Sequence, residues 1–279
     1  MRSRRISFRL PVSMVARISL MLPLVALLPL ELSASEQEKD SCVNCHSDPD
    51  LLVKNKKLYD YFQEWSASVH KQEDVSCSDC HGGNPGVDDK DAAHGGELTG
   101  ADASSPVNFR NIPSTCGECH DEIYEAFGKS RHFEQLLAKE QEEQGPTCVT
   151  CHGSINVAAL DVITVRQACA RCHNDETENH PEIPLKAEGL LNGFRSIHRY
   201  YRYIGVKGDP EKSRDFFGIV DPRIHGLAVN WHSFDLESIA EQTDWVLLVM
   251  KVKRDAVRSE VRARSAASEK PSGQPQSSE

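Results

Sequence analysis

The 279-residue sequence has few residues of the kinds that usually fill a protein core. Aromatic residues make up 6% of the chain, and three of its four methionines precede residue 35. A chain with so few large apolar side chains buries a thin core unless something else fills its interior. Beyond residue 34, methionine can be a metal ligand at one position at most, because Met250 is the only one there.

Long apolar runs are absent after residue 34 as well. Before that point, a basic leader precedes the uncharged apolar residues 18–30, and small residues follow at 32–34. This order is typical of a secretory signal peptide, predicted here for residues 1–34. A retained anchor is the weaker alternative, since a bilayer span needs about 20 apolar residues. We therefore expect an exported, periplasmic protein with no transmembrane segment after signal cleavage.

Basic residues are outnumbered by acidic ones. The formal net charge is −10, and removal of residues 1–34, with five arginines and one glutamate, takes it to about −14. Such a balance argues against nucleic acid as a partner and suits partners with basic surfaces.

The ten cysteines all belong to one repeated motif, and none is left over. Each unit has the spacing C-x-x-C-H, in five copies: Cys42, Cys45, His46; Cys77, Cys80, His81; Cys116, Cys119, His120; Cys148, Cys151, His152; and Cys169, Cys172, His173. This is the pattern of covalent c-type haem attachment, in which two thiols hold the ring and the histidine ligates the iron. Disulfides and zinc sites do not explain a histidine after every second cysteine. The sequence therefore predicts five covalently bound haems.

Each iron has a second axial position, which the remaining histidines can fill. Seven histidines lie outside the motifs, and we predict as distal ligands His70, His94, His132, His198 and His232. His180 and His225 remain alternatives to His232. The prediction depends on a repeat. The segments FQEWSASVH and YEAFGKSRH both end in Ser-x-His and place aromatic residues eight and five positions before the histidine, and GFRSIH repeats the Ser-x-His ending. Which histidine serves which haem is not predicted.

The predicted fold is mostly α with long loops, little or no β-structure and a core formed by the stacked haems. After the signal peptide we expect a haem 1–2 module at residues 35–106 and a haem 3–5 module at residues 107–234. We expect helices that end at His70 and that run from about residue 121 to 143. An irregular stretch after residue 184 then leads to a C-terminal helix at residues 235–264, opened by His232, and a disordered tail at residues 265–279.

The motifs in residues 40–200 resemble those of periplasmic multihaem c-type cytochromes. The resemblance is carried by GVDDKDAAHGG, by FRNIPSTCGECHDEIYEAFGKSRH and by GPTCVTCHGS. It extends to the tetrahaem cytochromes of ammonia oxidation and to the pentahaem quinol-dehydrogenase relatives. It implies closely stacked, mostly bis-histidine haems that pass electrons between a quinone-linked donor and a terminal acceptor. Two departures are the missing N-terminal membrane helix and the absence of a lysine-ended motif like that of the pentahaem nitrite reductases.

We therefore expect an electron carrier of anaerobic respiration rather than an enzyme. Its expected partners are redox proteins, including a membrane quinone-linked complex. Two alternatives stay open. One is an oxidoreductase that acts on a small nitrogen compound at a five-coordinate haem, and the other is an electron-transfer subunit of a membrane quinone-oxidising complex.

Overall fold

The computed structural model describes residues 40–95, 100–138, 145–153 and 161–268. Within these residues the chain forms α-helices and no β-strand, which confirms the predicted fold class. The helices are α1 Ser41–His46, α2 Leu51–Lys54, α3 Lys56–Ser66, α4 Val69–Gln72, α5 Cys77–His81, α6 Lys90–His94, α7 Ile112–Gly117, α8 Asp121–Phe127, α9 Arg131–Leu137, α10 Cys148–His152, α11 Val162–Ala170, α12 Ile183–Lys207, α13 Pro210–Asn230 and α14 Leu236–Ser268. A 3₁₀ turn, Trp231–Ser233, joins α13 to α14.

Helices α1 to α11 are short because polar caps and turns interrupt the chain every few residues. Asp40 caps α1 by accepting hydrogen bonds from the N–H groups of Cys42 and Val43. Asn55 caps α3 and Asp161 caps α11 in the same way. Side chains of this kind satisfy the free N–H groups at a helix start, so the described residues before α12 form short helices joined by turns and loops.

Two of the three Ser-x-His segments form helix starts rather than helix ends. Ser68 accepts a hydrogen bond from the Lys71 N–H, and Ser130 accepts one from the Phe133 N–H, so each serine caps a new helix. His70 consequently lies in α4, and the predicted helix ending at His70 is wrong in its last turn. A serine cap favours a new helix over continuation of the old one.

The helix predicted for residues 121–143 is likewise divided. Helix α8 ends at Phe127, and α9 begins at Arg131 after the turn that contains Gly128 and Ser130. Helix α9 ends at Leu137, and residues 139–143 of the prediction lie outside the described residues. His132 is thereby placed in the first turn of α9.

The stretch predicted to be irregular after residue 184 is two long helices, α12 and α13. Together with α14 they form a three-helix bundle. Its buried core contains Ile197, Ile204, Val220, Leu227, Ile239, Val246, Met250 and Val257. Met250 is fully buried there. Glycines and Pro222 lower the helical propensity of this stretch, but packing of an apolar face outweighs local propensity.

The ends of the chain fall mostly outside the described residues. The predicted signal peptide lies there entirely, and α14 continues to Ser268, four residues beyond the predicted helix end. Residues 269–279 of the predicted tail are also outside the described part. Among the described helices, none is both long and apolar enough to cross a membrane.

The tight turn between α12 and α13 provides a test of the bundle. A Cβ at Gly208 would lie 2.5 Å from the Ile204 carbonyl oxygen and 2.6 Å from the Ser213 Oγ. We expect Gly208→Ala to lower the free energy of unfolding by about 1–3 kcal/mol. In the control Gly218→Ala the new Cβ meets nothing within 4 Å, and a gain of up to about 1 kcal/mol is expected. Denaturant unfolding of the two variants measures the difference, and equal stabilities would contradict the packing.

Candidate haem-binding site

Each C-x-x-C-H motif forms one helical turn. In motifs 1, 2 and 4 the turn is a short helix of its own, α1, α5 or α10, and its last residue is the motif histidine. In motifs 3 and 5 the turn closes the end of α7 or α11, where the N–H groups of His120 and His173 bond to the carbonyls of Cys116 and Cys169. Residues three apart on a helix share a face, so both cysteines of a motif point to one side.

Motifs 2 and 4 are built alike. Ser76 and Thr147 begin their helices with capping boxes, closed by Asp79 and Thr150. The glycine that follows each histidine has a positive φ, 72° at Gly82 and 76° at its counterpart after His152. A side chain would strain the backbone there, so glycine lets the chain turn away directly behind the histidine.

None of the ten cysteines forms a disulfide within the described part of the chain, and those of neighbouring motifs lie close together. Cys116 donates a hydrogen bond to the Cys148 sulfur, which raises the pKa of Cys116 and lowers that of Cys148. Burial, with a smaller effect of Cys42, raises the pKa of Cys77 to about 11.

Cysteines of other neighbouring motifs also shift each other's pKa. Burial and then Cys169 raise the pKa of Cys151 to about 11. Burial and then Cys116 raise the pKa of Cys80. These effects on pKa act between motifs 2 and 3 and between motifs 4 and 5. The effects on Cys77 and Cys116 act between motifs 1 and 2 and between motifs 3 and 4. The motifs therefore follow one another in space as they do in sequence.

Four of the motif histidines face a histidine from elsewhere in the chain. The pairs and their ring-centroid distances are His46 with His94 at 6.3 Å, His70 with His120 at 6.5 Å, His132 with His173 at 6.0 Å, and His152 with His232 at 6.0 Å. Each pair joins one motif histidine to one predicted distal ligand. Each distal histidine is far in sequence from the motif histidine that it faces.

These distances fit a metal ion between the two rings. Metal–imidazole bonds are about 2 Å long, and a ring centroid lies about 1 Å behind its nitrogen, so two axial imidazoles have centroids about 6 Å apart. Ordinary aromatic pairs also have centroids about 4.5–7 Å apart. The separation of the four pairs is thus compatible with two axial ligands without being specific to them.

A family comparison covers three of the five motifs. Residues 101–177 match the family described as cytochrome c7 and related cytochrome c. The matched segment is thus similar to multihaem c-type cytochromes. The matched segment contains His120, His132, His152 and His173, and therefore one whole histidine pair. No curated protein and no solved structure gave a match to the chain.

Burial favours the neutral form of four of the paired imidazoles. Desolvation, with a smaller effect of His173, lowers the pKa of His132 to about 4. Burial is also the largest cause of the lowered pKa values of His46, His152 and His232. The neutral form is the one that binds a metal, so these rings are ready to act as ligands at neutral pH.

Hydrogen bonds orient some of these rings. The Nδ1 of His173 lies 2.8 Å from the Asn179 carbonyl oxygen, and the Nδ1 of His232 lies 3.1 Å from the Ala228 carbonyl oxygen. Donation from Nδ1 leaves Nε2 with its lone pair free for iron. The Nδ1 atoms of His132 and His152 are buried without a hydrogen-bond partner among the described residues. Buried polar atoms usually have a partner, and a bound ion is one such partner.

The other histidines have different surroundings. His198 lies in the middle of α12, where its ring contacts Phe194 at 4.6 Å between centroids. Burial, followed by the nearby Arg202, lowers the pKa of His198. His81 ends α5, and its charge contributes to the lowered pKa of the half-buried His46. His198 as a distal ligand stays a prediction.

Neither alternative to His232 faces a motif histidine. The Nε2 of His225 lies 2.6 Å from the Glu122 carboxylate, and the exposed His180 lies 3.5 Å from the Glu182 carboxylate. Both are therefore bound to acidic side chains at the surface. His232, which contacts His152, is the residue that the geometry favours.

Sequence reasoning missed the groups that position these histidines. Phe234 packs edge-on against His132, with centroids 4.3 Å apart, and adopts a left-handed backbone with φ 58°. The carbonyl acceptors of Asn179 and Ala228 are also new. A backbone carbonyl carries no residue-type signal, so only the four-residue spacing from Ala228 to His232, one helical turn, could have indicated one of them.

Proposed function

We propose that this protein is a multihaem c-type cytochrome, an exported, periplasmic pentahaem electron carrier with bis-histidine haems. The observation that carries the proposal is the set of four histidine pairs at 6.0–6.5 Å. An iron with two protein ligands has no open position for a substrate, which favours a carrier over an enzyme. Two imidazoles and no thioether ligand also favour low potentials, which suit anaerobic respiration.

The four histidine pairs support a ligand assignment for four of the five haems. The ten motif cysteines would hold five rings covalently, and each motif histidine would be the proximal ligand. His94, His70, His132 and His232 would be the distal ligands for motifs 1, 3, 5 and 4, respectively. By elimination, His198, the remaining predicted distal ligand, would serve motif 2. When bound, haem supplies reversible one-electron transfer at its iron.

The order of the motifs supports a linear series of sites. The Ser41 N–H beside motif 1 bonds to the carbonyl of Pro85 after motif 2, at 2.9 Å. Motifs 3 and 4 are adjacent as well, since the side chains of Cys116 and Cys148 lie within hydrogen-bond distance of each other. A protein built in this way has motifs 1 and 5 at opposite ends of the series, so we propose that the two redox partners bind near these ends. A membrane quinone-linked complex is the proposed donor and a respiratory protein the proposed acceptor.

The main test counts and classifies the haems of the purified holoprotein. Intact mass should equal that of the chain from residue 35 onward plus five haems, and electron paramagnetic resonance of the oxidised protein should show low-spin iron alone. A lower haem count would contradict the pentahaem proposal. A large high-spin signal that changes on addition of nitrite would contradict the carrier and favour an oxidoreductase.

A further inference from the structure

Helix α14 has an apolar stripe on its outer side as well as on its buried side. Its inner side places Val246 and Met250 in the bundle core, with 2% and 0% of their surfaces exposed. On the outer side, Trp245, Leu248 and Val252 are 40%, 61% and 63% exposed. Spacings of three and four residues place these side chains on one face. A surface helix normally has polar residues on its outer face, and an exposed apolar stripe of this kind is typical of a surface that binds a partner.

Helix α13 extends this surface. The Arg223 guanidinium lies over the Trp245 ring, 4.2 Å from its centroid, which fixes how α13 lies beside the stripe. Ile219 precedes Arg223 by one helical turn and is 64% exposed. The apolar surface is therefore a patch on two packed helices, and we call Ile219, Trp245, Leu248 and Val252 the outer patch.

Charges on α14 are divided between its two halves. Residues 236–245 contain three acidic and no basic residues, whereas residues 251–264 contain six basic and two acidic ones. Two such helices side by side in antiparallel orientation place acid against base in both halves. In parallel orientation, like charges would face each other. The pattern is therefore complementary to itself about a two-fold axis, as a symmetric dimer requires.

We propose that the outer patch binds a second copy of this chain, with the two α14 helices antiparallel and Leu248 near the two-fold axis. This register brings Asp244 of each copy beside Lys251 of the other. Both side chains are exposed, and neither makes an ion pair within the described part of the chain. The 33-residue helix is about 50 Å long, so the contact would continue beyond the patch to the oppositely charged ends.

A membrane surface is a poorer occupant for the same stripe. Helices that lie on anionic bilayers have basic residues along both edges of the apolar face. Here Glu241 and Asp244 border the first half of the stripe, where anionic lipid would repel them. The acidic chain as a whole also repels such a surface.

Sedimentation equilibrium of the holoprotein tests the proposal. We expect a dimer, and we expect Leu248→Glu to halve the weight-average mass because it buries two carboxylates at the axis. The control is Val53→Glu, which changes a side chain that is 89% exposed on α2 and should leave the dimer intact. A monomeric wild-type protein, including one that binds anionic phospholipid vesicles, would overturn the proposal.

Charge exchange tests the register without disturbing the apolar contact. Asp244→Lys and Lys251→Asp should each weaken the dimer, since each places like charges side by side twice. The double variant Asp244→Lys/Lys251→Asp should restore it. If the double variant is no stronger a dimer than either single variant, the antiparallel register is wrong. Both positions are exposed, so unchanged haem spectra and circular dichroism are expected in all three variants.

Discussion

Replacement of His132 with alanine is expected to open one haem to carbon monoxide. The wild-type protein should bind none when reduced, because bis-histidine irons have no free position. In His132→Ala the iron held by motif 5 would keep only His173, whose ring now lies 6.0 Å from that of His132. Carbon monoxide titration, followed in the Soret band, should rise from no equivalents to one equivalent per chain.

The matched control is His180→Ala. His180 is also close in sequence to motif 5, but its exposed ring lies beside Glu182 and faces no motif histidine. This variant should bind no carbon monoxide. If His180→Ala binds the gas and His132→Ala does not, the assignment of His132 is wrong. Because His132 also packs against Phe234, circular dichroism should be compared to separate ligand loss from unfolding.

The predicted fold class, which the structure confirms, is encoded in short stretches of chain, because the α-class follows from spacing within single segments. The one-turn geometry that puts Cys77 and Cys80 on one face of α5 is just as local. So is the positive φ at Gly82, which the turn behind His81 requires. Such features depend on neighbours within about one helical turn, which is the range over which sequence patterns are informative.

The Ser-x-His repeat shows where local patterns fail. Ser68 and Ser130 cap new helices, but Ser196 lies inside α12 and donates to the Asn192 carbonyl oxygen. The same residue types therefore begin a helix in two copies and continue one in the third. What differs is tertiary packing, because Ile197 between Ser196 and His198 is fully buried in the bundle core.

The histidine pairs could not be predicted because they form across long sequence separations. His152 and His232 are 80 residues apart, and their rings are nearly parallel, with 8° between the planes. No propensity or periodicity extends over that distance. The contact depends on how α13 and its 3₁₀ turn pack beside α8, and this arrangement is a property of the whole fold.

The pair of His70 and His120 leads to a prediction that opposes the simplest sequence interpretation. His70 is seven residues from Cys77, so proximity in sequence would assign it to motif 2. Its ring lies instead 6.5 Å from that of His120 in motif 3. We expect His70→Ala to bind one equivalent of carbon monoxide per chain, at the iron held by Cys116 and Cys119.

Removing individual haems identifies the iron that His70 serves. With Cys116→Ala/Cys119→Ala, the haem of motif 3 is lost, and adding His70→Ala should produce no carbon monoxide binding. With Cys77→Ala/Cys80→Ala, the haem of motif 2 is lost, and adding His70→Ala should still produce one equivalent. The reverse pattern would assign His70 to motif 2. The expected pattern would mean that a helix of the first haem module completes a site in the second. The second module could then not form all of its haem sites on its own.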